Sequence, residues 1–131
     1  MLLLLDTHIL ISLVRGESER LPSDLQRALR DQENALFASA ASLWEIAIKH
    51  RLGKLLSPCN LDKWPAALSA LAISLMEVYA SHALTEADPV PNTKDPFDRL
   101  LLAVCDVEHM RFLTSDKALL AHPLSWRPAS A

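Results

Sequence analysis

Glycine and cysteine are scarce in this chain of 131 residues, with two of each. The cysteines, Cys59 and Cys105, form neither a Cys-x-x-Cys pair nor a disulfide framework. Cys105 falls inside a strongly apolar helical run, where a thiol serves as a small core residue. The five histidines, His8, His50, His82, His109 and His122, are scattered and lack the spacing of a zinc site. No apolar stretch is long enough to span a membrane, and the N-terminal leucine run meets Asp6 too soon for a signal peptide. Gly16 and Gly53 fall where helical patterns end, and the chain shows no repeat, low-complexity stretch or linker. Together these absences predict one domain over residues 1–131, sized to bury a substantial core, in a reducing cytoplasm.

A surplus of positive charge is also lacking. Thirteen Lys and Arg stand against 16 Asp and Glu, a net charge of −3, which at first argues against a nucleic-acid partner. Four of the acids fall at related places in the pattern below, and setting them aside leaves 12 acidic against 13 basic residues. A cation bound among those four would cancel most of the imbalance, so net charge decides nothing. What the chain has in quantity is apolar side chains, 50% of the total. They supply a Leu/Ala-rich core or, in part, an apolar surface for a partner or a second copy.

Short apolar runs alternate with helical periodicity. Leu2–Leu5 predicts a strand buried on both faces. Helical patterns follow at Thr7–Val14 and Ser23–Gln32, then a strand at Ala35–Ala38 and a helix over Ser42–Leu52. Another helix begins at Asn60 or Asp62, with Pro65 confined to its first turn. Ile73–Val78 predicts a third strand, Pro96–Glu108 a long helix, Phe112–Thr114 a fourth strand and Lys117–Leu120 a short helix. The tail adds an edge strand near Trp126. Strands alternating with helices predict a three-layer α/β/α sandwich around a central, mostly parallel sheet.

Asp6, Glu45, Asp98 and Asp116 each lie where a predicted strand or loop gives way to a helix. Singly, each has a plain structural explanation. Asp6 suits a helix N-cap, and Ser42-Leu-Trp-Glu45 has the form of a capping box, with Glu45 and Lys49 also an i, i+4 pair. Asp95 suits an N-cap with Pro96 at the first helical position and Asp98 closing the box. Asp116 suits a further cap, in competition with Ser115. As a set they are harder to dismiss, because parallel topology places such junctions on one side of the sheet, where ligands bind. Carboxylates gathered there repel one another, and a divalent cation is the natural counter-charge.

The motifs Leu4-Leu-Asp-Thr-His-Ile-Leu10, Ser42-Leu-Trp-Glu-Ile-Ala-Ile-Lys49 with Leu52-Gly-Lys-Leu55, Asp95-Pro-Phe-Asp-Arg-Leu-Leu-Leu-Ala103 and Leu113-Thr-Ser-Asp116 occur in that order. In them the chain resembles the PIN-domain ribonucleases, and within these the VapC-like toxins of bacterial toxin–antitoxin pairs. The resemblance spans nearly the whole chain, and its most specific segment is the one beginning at Asp95. It implies that Asp6, Glu45, Asp98 and Asp116 are the catalytic acids, with Asp6, Asp98 and the outer Asp116 as metal ligands. Thr7 and Thr114, beside acids, would position a ligand or a water.

The implied cofactor is Mg²⁺ or Mn²⁺, one or two ions, the second about 4 Å from the first. Such a site would activate water for in-line hydrolysis of single-stranded RNA, leaving a 5′-phosphate and a 3′-hydroxyl. Lys49 and Arg51 offer phosphate contacts, although cations also suit a solvated helix end. Arg99 either neutralises the acids or touches RNA, and His8 is better read as a satisfied polar residue than as a base. The resemblance further implies a VapB-like antitoxin laid in an apolar groove, with which Trp44 and Trp64 are compatible, and a homodimer. Receiver-like and haloacid-dehalogenase-like domains are disfavoured because Thr7-His8 follows Asp6 where those folds place further acids. The remaining alternative is a non-catalytic module in which the acids are caps and the chain binds a partner helix or RNA.

Overall fold

The computed structural model describes residues 1–129. Four strands form one sheet: β1 (Leu2–Leu5), β2 (Ala35–Ser39), β3 (Ile73–Met76) and β4 (Arg111–Leu113). The order across the sheet is β3-β2-β1-β4 and every pairing is parallel, with Leu3 opposite Leu36 on one side and Arg111 on the other. Strands must alternate their side chains between two faces, and β1 shows the result. Leu3 and Leu5 join one buried cluster while Leu4 joins another. All three are fully buried, as a strand covered on both faces requires.

Helices cover both faces, giving the predicted three-layer sandwich. On the Leu3/Leu5 side lie α1 (Thr7–Val14), α2 (Ser23–Arg30) and α4 (Trp64–Ala70), which contribute Ile9, Leu10, Leu25, Ala28, Trp64 and Leu68. On the Leu4 side lie α6 (Pro96–Glu108) and α7 (Lys117–Leu120), with Leu101, Leu102, Val104, Cys105 and Leu119. The helix α3 (Ala40–Arg51) contributes to both clusters, through Ile46 and Ala41. Cys105 is buried and unpaired, as the apolar run around it predicted. Among the described residues no helix is long and apolar enough to cross a membrane.

Several boundaries differ from the sequence expectation, each for a local reason. The third strand stops at Met76 rather than Val78 because its partner β2 ends at Ser39, opposite Met76. The helix expected from Ser42 begins two residues earlier, since Ser39 caps it by accepting the Ala41 backbone N–H at 3.1 Å. A 3₁₀ turn over Leu61–Lys63 precedes α4 and leaves Pro65 in its first turn. The short α5 (Ala80–Leu84) was not anticipated from the pattern; buried His82 holds it, accepting from the Tyr79 N–H at 3.0 Å and contacting Glu108 on α6 at 2.8 Å. The tail strand is reduced to one parallel bridge of Ser125 with Phe112, flanked by Trp126 N–H donating to the Phe112 carbonyl at 2.8 Å.

This strand order fixes where a site can form. From β1 the chain winds outward through β2 to β3, then returns to place β4 on the opposite side of β1. The gap beyond the carboxyl ends of β1 and β4 is a topological switch point, the place where open parallel sheets bind ligands.

Candidate active site

Asp6 and Thr114 are the residues that follow β1 and β4, and they meet at that gap. The Asp6 backbone N–H donates to the Leu113 carbonyl at 2.9 Å, extending the parallel pairing by one step. The Thr114 hydroxyl then donates to Asp6 Oδ2 at 2.7 Å, and the Asp116 N–H donates to Thr114 Oγ1 at 3.0 Å. Asp6 also caps α1, its Oδ1 accepting from the Thr7 N–H at 2.8 Å. Cap and site residue are therefore one and the same, with the carboxylate buried at the positive end of the helix dipole.

Thr7 carries the connection to α3. Its Oγ1 lies 2.6 Å from Glu45 Oε1 and 3.0 Å from Ser42 Oγ, all three side chains being buried. The single hydroxyl proton of Thr7 serves the charged carboxylate, the stronger acceptor. Lys49, one turn later on α3, donates to Glu45 Oε2 at 2.6 Å. That hydrogen bond, partly offset by desolvation and aided by the charges of Glu45, Asp95 and Asp98, raises the Lys49 pKa and keeps it cationic.

The expected capping box at Ser42 is absent, and the correction matters for the site. With the helix starting at Ala40, Ser42 sits inside the first turn and Glu45 has no cap to make. Its carboxylate is directed instead to Thr7 and Lys49. The Asp95–Asp98 pair is corrected in the same sense. Asp95 caps α6 by accepting from Phe97 N–H at 2.8 Å and Asp98 N–H at 3.2 Å, but its own N–H donates to Thr93 Oγ1 at 3.1 Å. Thr93 takes the place expected of Asp98, which is left with only a 3.4 Å contact from the Thr93 hydroxyl.

Asp98 shows the strongest electrostatic signature. Burial pushes its carboxyl up, and the negative charges of Asp95, Asp6 and Glu45 push it further, to about 7 from an ordinary 3.8. Acids from β1, α3 and α6 therefore lie within reach of one another's fields. His8 joins the group: its Nδ1 is 3.2 Å from Asp6 Oδ2 and its Nε2 is 2.7 Å from Ser115 Oγ. Burial alone would lower its pKa, but the hydrogen bond and charge of Asp6, with the charges of Asp116 and Asp98, raise it overall. Both ring nitrogens are thus engaged.

Asp116 stands at the rim. It is exposed and caps α7, its Oδ1 accepting from the Ala118 N–H at 2.9 Å. Arg99 is not brought to the acids. Its guanidinium donates to the Thr93 carbonyl at 2.7 Å, to Glu86 at 3.0 Å and to the Pro91 carbonyl at 3.3 Å, bracing the loop before α6. Arg51 is exposed at the end of α3 and makes no ion pair among the described residues. Trp64 is 1% exposed and belongs to the core, which corrects its assignment to a groove, whereas Trp44 is 61% exposed. Ser42, Thr93 and Ser115 were not singled out as support for the acids. Their signal was a hydroxyl residue within a few positions of each acid, which capping explained equally well.

Among the described residues no three His, Cys, Asp or Glu side chains converge tightly enough to chelate a cation as they stand. Each carboxylate is turned to an internal partner: Asp6 to Thr114 and His8, Glu45 to Thr7 and Lys49, Asp98 to Thr93. The donor chemistry nevertheless suits Mg²⁺ or Mn²⁺, which take hard oxygen ligands. Burial and the repulsion of its neighbours together raise Asp98, and a positive charge among these acids would relieve the second of these.

The family model for the PIN domain matches residues 3–123. Among solved structures, a chain in the crystal structure of VapBC2 from Rickettsia felis bound to a DNA fragment from their promoter superposes with a TM-score of 0.61. That match has 14% identity and covers 95% of this chain and 96% of the other. No curated protein matches the sequence.

Proposed function

The chain belongs to the PIN domain family, and on that premise we propose that it is a metal-dependent endoribonuclease, the growth-inhibiting toxin of a toxin–antitoxin pair. The observation that carries this reading is the meeting of Asp6, Glu45 and Asp98 at the sheet's switch point, with Asp98 raised to about 7 by burial and by its acidic neighbours.

In this reading Asp6 and Asp98 are the principal ligands and Asp116 an outer one, direct or through water. A bound Mg²⁺ or Mn²⁺ would neutralise the acids, offset charge on the phosphoryl oxygens and make a water acidic enough to attack. The chain's own residues do the rest. Thr114 and the Thr7 N–H hold both oxygens of Asp6, which fixes the direction of its remaining lone pairs. Thr7 and Lys49 hold Glu45 in one orientation, so that it can accept a proton from water or align one for in-line displacement. Lys49 and exposed Arg51 lie on the basic end of α3, suited to the phosphates of an incoming strand. Arg99 acts instead by bracing the loop that presents Asp95 and Asp98.

The toxin role rests on the motif resemblance, and the full-length likeness to a chain of a VapBC2 structure is consistent with it. A cytoplasmic homodimer restrained by a VapB-like antitoxin follows from the same reading. The test is cleavage of a labelled single-stranded RNA pool by antitoxin-free protein. We expect cleavage in Mn²⁺ and none in excess EDTA, with activity restored when Mn²⁺ is added back. Cleavage that persists in EDTA would overturn the metal-dependent mechanism.

A further inference from the structure

Trp44 immediately precedes Glu45 on α3, and Phe97 immediately precedes Asp98 on α6. Their rings meet across the two helices, centroids 5.7 Å apart and planes at 74°. Such an edge-to-face pair favours one orientation of the indole, although Trp44 is 61% exposed and packs into neither core cluster. At that exposure much of the indole stays open to solvent. Arg51, exposed, follows Trp44 by seven positions on α3, which puts both on one face of the helix about 10 Å apart along its axis.

An aromatic face next to a basic residue, leading to a cluster of acids, has the composition of a single-strand binding surface. Aromatic faces take bases and cations take phosphates. We propose that Trp44, braced by Phe97, is the stacking platform for a base near the scissile phosphate, and so helps to set which nucleotides are admitted to the cut site. This rests on the ribonuclease reading and names a substrate contact within it. A free protein-binding patch would have no need of the Phe97 brace or of the adjoining acids, which makes RNA the better occupant.

The experiment is equilibrium binding of a fluorescein-labelled single-stranded RNA, in Mg²⁺, to protein carrying Asp98→Asn to prevent turnover. Adding Trp44→Ala should weaken binding about ten-fold or more, while Trp44→Phe should stay within about three-fold because a stacking face remains. The salt dependence of binding should be the same in all three proteins, since stacking releases no counterions. Thermal melts of the variants should coincide closely, because the ring lies outside the core. Equal affinity of the Asp98→Asn and Asp98→Asn/Trp44→Ala proteins would overturn the stacking role and leave the nuclease reading intact. Equal RNA affinity with lost binding of an antitoxin protein would reassign the ring to a protein interface. No RNA binding by the Asp98→Asn protein would count against the ribonuclease reading itself, and the platform would fall with it.

Discussion

Asp98→Asn is expected to slow RNA cleavage by about a thousand-fold or more and, in the same protein, to raise the melting temperature measured without metal at pH 8. The second effect follows from the sign of the pKa shift. The folded-state value, about 7, lies above the ordinary 3.8, so between those values the folded protein holds a proton that the unfolded chain has released. Stability of the metal-free protein therefore falls as pH rises through that window and stays at the lower level above it. Asparagine is nearly isosteric, keeps an oxygen for the Thr93 hydroxyl and removes the charge that Asp95, Asp6 and Glu45 oppose. Allowing for solvent screening at this partly buried group, the gain at pH 8 is roughly 3 °C. Melts in EDTA at pH 5 and pH 8, beside a single-turnover cleavage assay, check both halves. The variant's advantage should shrink or vanish at pH 5, where Asp98 is protonated in the folded protein. A variant that cleaves at the parental rate, or melts below the parent at pH 8, would contradict the assignment. The trade of stability for function is what a charged site without its counter-ion should show.

Trp64→Ala should have the largest effect on stability, a loss of about 3–5 kcal/mol, against a total that for a domain of this kind is about 5–15 kcal/mol. The indole is 1% exposed between α4 and the sheet, in the cluster that holds Leu3, Ile46, Leu68 and Ile73. Its Nε1–H donates to Ser57 Oγ at 2.9 Å, and Ser57 in turn donates to the Cys59 carbonyl at 2.6 Å. Truncation would leave a cavity and loosen the loop between α3 and α4. Trp44→Ala, by contrast, should change stability by about 0.5 kcal/mol or less, as surface substitutions usually do. Urea denaturation separates the two. Similar midpoints for the two variants would contradict the placement of Trp64 in the core.

The contrast between those tryptophans marks how far the sequence could be read. Trp44 sits in the more apolar run and Trp64 follows Asp62 and Lys63, so local pattern points the wrong way and only the tertiary arrangement decides that Trp64 faces the sheet and Trp44 faces Phe97. Strand identity was legible because Leu2–Leu5, Ala35–Ala38 and Ile73 onward are short apolar runs bounded by caps and turns. Their ends were less so, since a strand stops where its partner stops, as Met76 does opposite Ser39. The acids were legible as a set because they recur at junctions that parallel topology brings to one side. Their individual bonds were not. Ser42-to-Glu45 and Asp95-to-Asp98 both read as capping boxes; Asp95 does cap α6 as expected, but Thr93 rather than Asp98 closes the box, and Ser39 rather than Ser42 caps α3. Hydroxyl contacts that span the chain, such as Thr114 to Asp6, leave no local pattern because their partners are 108 positions apart. Arg99 was misread toward the acids for the opposite reason: adjacency to Asp98 in sequence sends it, on a helix, to a different side.

In the ribonuclease reading Asp6, Asp98 and Asp116, brought together from separate segments, act as one cation site, and a Mn²⁺ titration of the metal-free protein followed by electron paramagnetic resonance tests it most directly. Saturable binding of one or two ions per chain is expected, weakened at least about ten-fold by Asp6→Asn and by Asp98→Asn, in variants whose melts show an intact fold. Absence of saturable binding, or binding that both variants leave unchanged, would contradict it and leave the four carboxylates as parts of the capping and hydrogen-bond network alone.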